Sequence, residues 1–183
     1  MDAIDASKSA LVLVDCQARL MPAIHDAQNV LKRAALLADA AKLLGLRVLG
    51  TEQNPSGLGP NVDAIRERCE TTLAKTHFDA CADGLLALLD TGTPAPSQVV
   101  IAGCEAHVCM MQTALGLLRA GKRVWVVENA SGSRKSSDHA AAMRRLQLAG
   151  ATPVTHEMVL FEWLADCRNP QFRDVLQLIK DAD

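Results

Sequence analysis

The chain has 183 residues, 49% of them hydrophobic, with 19 Lys and Arg set against 21 Asp and Glu. That length suffices for one buried core, and no repeat or low-complexity stretch divides it, so a single domain over residues 1–183 is expected. A formal charge of −2 with no Lys/Arg run argues against nucleic acid or an anionic membrane surface as partner and for a small molecule.

The apolar runs are of strand length rather than membrane-spanning length. The start, MDAIDASKSA, has neither the basic beginning nor the apolar core of an export signal, so a cytoplasmic location is expected. A cytoplasmic chain keeps its thiols reduced, so the six cysteines are expected free. None lies in CxxC spacing, and Cys16, Cys69, Cys81 and Cys167 have no nearby His, which argues against structural zinc.

In chain order, ALVLVD (10–15) reads as a strand closed by Asp15. AQNVLKRAALLADAAKLLG (27–45) repeats apolar residues at helical spacing up to Gly45, and LRVLGT (46–51) reads as a second strand. TEQNPSGLGPNV (51–62), rich in Gly and Pro, is expected to be irregular and to form an ordered loop beside the site. TTLAK (71–75) is a weaker strand ending in Lys75, and CADGLLALLD (81–90) a helix. QVVIAG (98–103) is a strand, VCMMQTALGLLRAG (108–121) a helix closed by Gly121, and KRVWVVE (122–128) a strand. SDHAAAMRRLQLAG (137–150) is a helix closed by Gly150, ATPVT (151–155) a weak strand, and His156 to Lys180 two helices separated near Asn169-Pro170. Continuous rather than alternating apolar strands need cover on both faces. Alternation with helices therefore implies a three-layer α/β/α, Rossmann-like fold with a mainly parallel sheet of about six strands.

Ligands of such sheets bind beyond the carboxyl ends of the strands. The first strand delivers Asp15 there, followed by Cys16-Gln17; the third delivers Lys75; the fourth runs into GCEAHVCMMQTALG (103–116). Taken singly, Asp15 is as readily a solvated carboxylate or a helix cap, and Lys75 a surface charge. Cys104 is most simply a packed linker residue. Cys109 falls in the first turn of the following helix, where unpaired N–H groups and the macrodipole favour an anion, so a thiol there is expected to ionise readily; alone, it reads equally as a small core residue. The same amides, including the N–H of Cys109, can hold an oxyanion. A carboxylate that takes and returns the thiol's proton and a lysine that favours both anions complete a workable nucleophilic triad of Asp15, Lys75 and Cys109.

These motifs resemble the isochorismatase-like cysteine hydrolases, which include nicotinamidases and related amidases. LVLVDCQ resembles the family's first-strand acid with its Gln, LAKTHFDA its lysine segment, and GCEAHVCMMQTALGLLRAG its nucleophile motif with a following Thr-Ala pair. TEQNPSGLGP and NPQFRDVLQLIKD resemble the branch named for an isochorismatase domain. The resemblance implies Asp15 as general base and acid, Lys75 as electrostatic partner, and Cys109 as nucleophile. It also implies a cis peptide between Cys104 and Glu105 that turns the N–H of Glu105 into the oxyanion hole, and a homo-oligomer.

One departure matters. Nicotinamidases of this family hold a metal with an Asp-x-His pair and a further His, whereas TEQNPSGLGP has neither His nor Asp, and His25, His77, His107, His139 and His156 show no ligand spacing. No metal and no cofactor are expected. Isochorismatases proper lack the nucleophilic cysteine, so Cys109 favours hydrolysis of a C–N, amide-like bond.

Gln17, Gln53, His77, Phe78 and His107 lie near the motifs and are candidate substrate-binding residues, each with an equally structural reading. His107 can cap, contact substrate or face solvent. Trp125 reads as core, and Trp163 as core or a subunit contact. The competing readings are a ligand-binding or thiol-sensing module without turnover, and a phosphoacceptor domain, against which the missing acidic pair before Asp15 counts.

Overall fold

The computed structural model describes residues 3–91 and 94–181. Six strands, β1 (Ser9–Val14), β2 (Arg47–Gln53), β3 (Thr71–Lys75), β4 (Gln98–Cys104), β5 (Arg123–Gly132) and β6 (Thr152–Val154), form one sheet in the order β3-β2-β1-β4-β5-β6. Every neighbouring pair is parallel. The helices are α1 (Ala27–Leu43), α2 (Pro55–Leu58), α3 (Asp63–Arg66), α4 (Leu85–Leu89), α5 (Cys109–Arg119), α6 (Ser136–Leu148), α7 (His156–Leu164) and α8 (Phe172–Asp181).

Side chains of one strand point alternately to the two faces, so a strand covered on both sides has no polar face. In β1, Leu11 and Leu13 join Val48, Val100 and Val127 in the core beneath α1, α7 and α8, whereas Ala10, Val12 and Val14 join Leu49, Ile101 and Val126 beneath α5 and α6. Both tryptophans are core: Trp125 is buried, and Trp163 is buried beside Leu160, Leu164 and Val175, which removes the subunit-contact reading.

The strand order reverses between β1 and β4, the place at which open α/β sheets bind ligands beyond the carboxyl ends of their strands. Gly103 permits the close approach: its φ is +118° and a Cβ would lie 2.1 Å from the carbonyl oxygen of Val14.

Two local expectations change. TEQNPSGLGPNV is not wholly irregular: Thr51–Gln53 complete β2, because β3 pairs alongside them with Glu52 opposite Ala74 and Gln53 opposite Lys75. Pro55, whose fixed φ suits a first helical position, then opens the single turn of α2. The helix expected over CADGLLALLD is broken at Gly84, φ +107°, into a 3₁₀ turn (Ala80–Asp83) and α4. Among the described residues no helix is long and apolar enough to cross a membrane.

Candidate active site

Asp15 follows β1 with φ +48°, a left-handed conformation that aspartate tolerates better than most residues. Its N–H donates to the Thr51 carbonyl at 3.1 Å, which fixes it against the end of β2. Its carboxylate is wholly buried and doubly held: the Thr51 hydroxyl donates to Oδ1 at 2.6 Å and Lys75 Nζ to Oδ2 at 2.8 Å. Lys75, the last residue of β3, is equally buried, and its ammonium also donates to Gln53 Oε1 at 2.6 Å and to the His77 carbonyl at 3.4 Å. All three N–H bonds therefore have acceptors, so Lys75 acts as a fixed charge rather than as a free donor.

Cys109 is the first residue of α5 and is 6% exposed. Its thiol donates to the same Gln53 Oε1, at 3.8 Å. Strand ends 1, 2 and 3 and the start of α5 thus converge on one cluster of Asp15, Lys75, Gln53 and Cys109. The Cys104–Glu105 peptide is cis, and Ala106 N–H is anchored to the Gly132 carbonyl at 2.7 Å. Among the described residues, the N–H groups of Glu105 and Cys109 find no acceptor.

The thiol's protonation differs from expectation. Burial first, and the Asp15 carboxylate second, push Cys109 up to about 12, with Lys75 pulling the opposite way. Desolvation and Asp15 thus outweigh Lys75 and favour the neutral thiol beside the ion pair.

The five other candidates divide. Gln17 does not join the cluster: it is fully buried, and its amide clasps the backbone of Gln53, accepting from the N–H at 2.8 Å and donating to the carbonyl at 3.0 Å, with a further bond to the Gly59 carbonyl at 2.6 Å. Gln53 sits at the centre of the cluster. The His77 ring is turned outward onto Asp83 at 2.8 Å; that contact, with the N–H groups of His77 and Thr76, holds the Asp83 carboxyl down at about 2. Phe78 is half-exposed, and its carbonyl accepts from Thr113 Oγ1 at 3.3 Å. His107 Nδ1 pairs with Ser133 Oγ at 2.9 Å, across the loop after β5.

One residue escaped the sequence reading, and another was visible there only as part of a motif. Thr51 supplies half of the hydrogen bonding to Asp15, and buried Thr113 pins the segment after Lys75 by accepting from Ala80 N–H at 3.0 Å. A polar triplet, Thr-Glu-Gln, ending an apolar strand was the available signal for the first. The second is the Thr of the Thr-Ala pair in the motif around Cys109, to which the sequence attached no role. All six cysteines are free thiols. Among the described residues no group of three or more His, Cys, Asp or Glu side chains is placed to hold a metal ion, so the residues do not fit the metal of the nicotinamidases.

These features define a doubly wound α/β protein with a buried polar cluster at its switch point. The chain belongs to the isochorismatase family: the family's sequence model, the isochorismatase domain, matches residues 9–158. Isochorismatase domain-containing protein 2 of Danio rerio is 33% identical over 171 residues, covering 93% of this chain and 86% of the relative. The structure of the MAR1 ribonuclease from Caenorhabditis elegans superposes with a TM-score of 0.91 at 31% identity, covering 98% of this chain and 93% of the other. YcaC from Escherichia coli, described as an octameric hydrolase of unknown specificity, gives a TM-score of 0.84 at 25% identity, covering 100% and 98%. YcaC from Pseudomonas aeruginosa, solved with hexane-2,5-diol and covalent acrylamide, gives 0.86 at 25% identity, covering 98% and 96%. The chain accordingly carries a hydrolase fold.

Proposed function

We propose that residues 1–183 form one cytoplasmic hydrolase domain that cleaves an amide-like C–N bond of a small molecule through a covalent Cys109 intermediate, without a metal. The observation that carries this reading is the convergence of a buried Asp15–Lys75 ion pair and the Cys109 thiol on one Gln53 oxygen.

The Asp15 carboxylate opposes ionisation of the thiol and Lys75 favours it. Moving the proton from sulfur to Asp15 removes the opposing charge and leaves the supporting one, so base and nucleophile are activated in one step. Sulfur then bonds to the substrate carbonyl carbon, and the developing oxyanion is met by the N–H groups of Glu105 and Cys109. Asp15 returns the proton to the nitrogen as the C–N bond breaks, leaving a thioester. Water, deprotonated by Asp15, releases the acid and restores the thiol.

The neutral resting thiol disfavours a thiol sensor, which relies on thiolate character. A phosphodiester substrate, suggested by the relatives named as ribonucleases, is less favoured because Lys75 has no donor left for phosphate. Covalent acrylamide in the Pseudomonas relative, an electrophile through its alkene rather than its amide carbon, supports a reactive nucleophile in this family's site. The octameric Escherichia relative supports a homo-oligomer.

The test is a screen of small amides, imides and ureas with mass-spectrometric trapping of a Cys109 adduct, on metal-free, chelator-treated protein. Cys109→Ala is expected to abolish turnover, and Asp15→Asn to lower kcat by about 10²–10⁴-fold. Substantial turnover by Cys109→Ala would refute the reading.

A further inference from the structure

We infer that the chain has a second binding site, beside the carboxyl end of β5, for a small molecule that carries both a carboxylate and an ammonium group, of the size of a short α-amino acid. The site is independent of the hydrolase reading, because none of Asp15, Gln53, Lys75 and Cys109 lines it.

Three observations carry it. First, a cavity of about 160 Å³ lies among the start of α1, the end of β5 and the start of α6. At roughly 30 Å³ per water it has room for about five waters, or for one molecule of about six non-hydrogen atoms.

Second, opposite charges share this cavity without meeting. Arg33 and Glu128 both line it and both are partly buried. Arg33 spends one guanidinium N–H on the Asn129 carbonyl at 3.1 Å and, among the described residues, forms no ion pair. The Glu128 carboxylate has no hydrogen-bond or ion-pair partner among them either. Charges that have lost part of their hydration cost free energy unless paired, so a molecule that bridges the two is favoured there. The planar fork of a guanidinium matches a carboxylate, and a carboxylate accepts from an ammonium.

Third, the other polar groups suit an organic cation as well as an anion. His139 Nε2 donates to the Glu128 carbonyl at 2.8 Å, which leaves Nδ1 of the neutral ring as an acceptor. Exposed His25 is tied to the same wall, its N–H donating to the Ser133 carbonyl at 3.0 Å, and Asp26 adds a second carboxylate, already bonded to Asn29 at 2.7 Å. Among the described residues no three His, Cys, Asp or Glu side chains are grouped for a metal ion, so the acids of this cavity fit an ammonium rather than a bare metal ion.

Titration of the whole chain with glycine, L-alanine and L-serine, followed through the ring C–H signals of its five histidines by NMR, tests this. Saturable shifts of His25 and His139 are expected, with dissociation constants of about millimolar order and no shift of His77, which adjoins Lys75. Propionate and ethylamine, each with one of the two charges, should bind at least about tenfold more weakly than L-alanine. Arg33→Gln and Glu128→Gln should each weaken L-alanine binding at least about tenfold.

If none of the three amino acids saturates the His25 and His139 signals by about 50 mM, the site is overturned, and undiminished binding in either variant overturns it equally. Propionate or ethylamine binding as tightly as L-alanine overturns the ligand class. Shifts confined to His77 assign the binding to the Cys109 cluster and overturn the second site. Should a variant not fold, the histidine shifts of the unaltered chain and the two single-charge probes decide.

Discussion

Lys75→Met removes one partner of an ion pair in which neither side chain has any solvent exposure. Exposed pairs contribute little because water screens them, but here no water competes, and the variant leaves the Asp15 carboxylate without its nearest compensating charge. It also frees Gln53 Oε1 and the His77 carbonyl from their bonds to the ammonium. Breaking a buried pair costs about 3–5 kcal/mol, a large fraction of the roughly 5–15 kcal/mol by which domains are stable. With a urea slope of about 2 kcal/mol/M, the midpoint should fall by roughly 1.5–2.5 M.

Adding Asp15→Asn should restore part of this, because the buried carboxylate is then neutral while the asparagine oxygen still accepts from Thr51. A coupling of about 2–3 kcal/mol between the two substitutions is expected from a double-mutant cycle. Urea melts of the four proteins, followed by fluorescence of the two buried tryptophans, provide the measurement. A cost for Lys75→Met below about 1 kcal/mol, or strict additivity of the two changes, would mean that the pair behaves as a solvated one, and the electrostatic argument for the site would fail with it.

Two further predictions follow from the same geometry. Thr51→Val keeps the side-chain shape but removes the hydroxyl 2.6 Å from Asp15 Oδ1; a loss of about 1.5–3 kcal/mol in urea unfolding is expected, and a neutral result would show that the bond contributes nothing. Cys109, Cys69 and Cys81 are each raised to about 12 from an ordinary 9.0, chiefly by burial. The folded chain therefore keeps thiol protons that the unfolded chain begins to lose near pH 9. This contribution to stability is complete below pH 9 and is lost as pH rises toward 12. The urea midpoint should decline across that window, less steeply in Cys109→Ala; parallel profiles for the two proteins would contradict the protonated resting thiol.

Much of the fold was legible because burial on both faces leaves a local mark. The six strands found are those expected from their apolar runs, and α1, α5 and α6 end near the glycines that announced their ends. Asp15 and Lys75 were visible as polar residues closing apolar runs, and Cys109 as a thiol opening a helix. Those are features of single segments.

What the sequence alone determined, then, is which segments lie under helices and which chemical groups they carry to one rim of the sheet. Tertiary structure decided how those groups meet. Only the order β3-β2-β1-β4 sets the end of β2 between Lys75 and Asp15, making Thr51 a partner of Asp15 and Gln53 a partner of Lys75, and reducing Gln17 to a clamp. Only the packed surroundings turned a thiol at a helix start into one held protonated. Hydrogen-bond partnership and desolvation belong to neighbours brought from distant parts of the chain, and no local pattern encodes which neighbours those are.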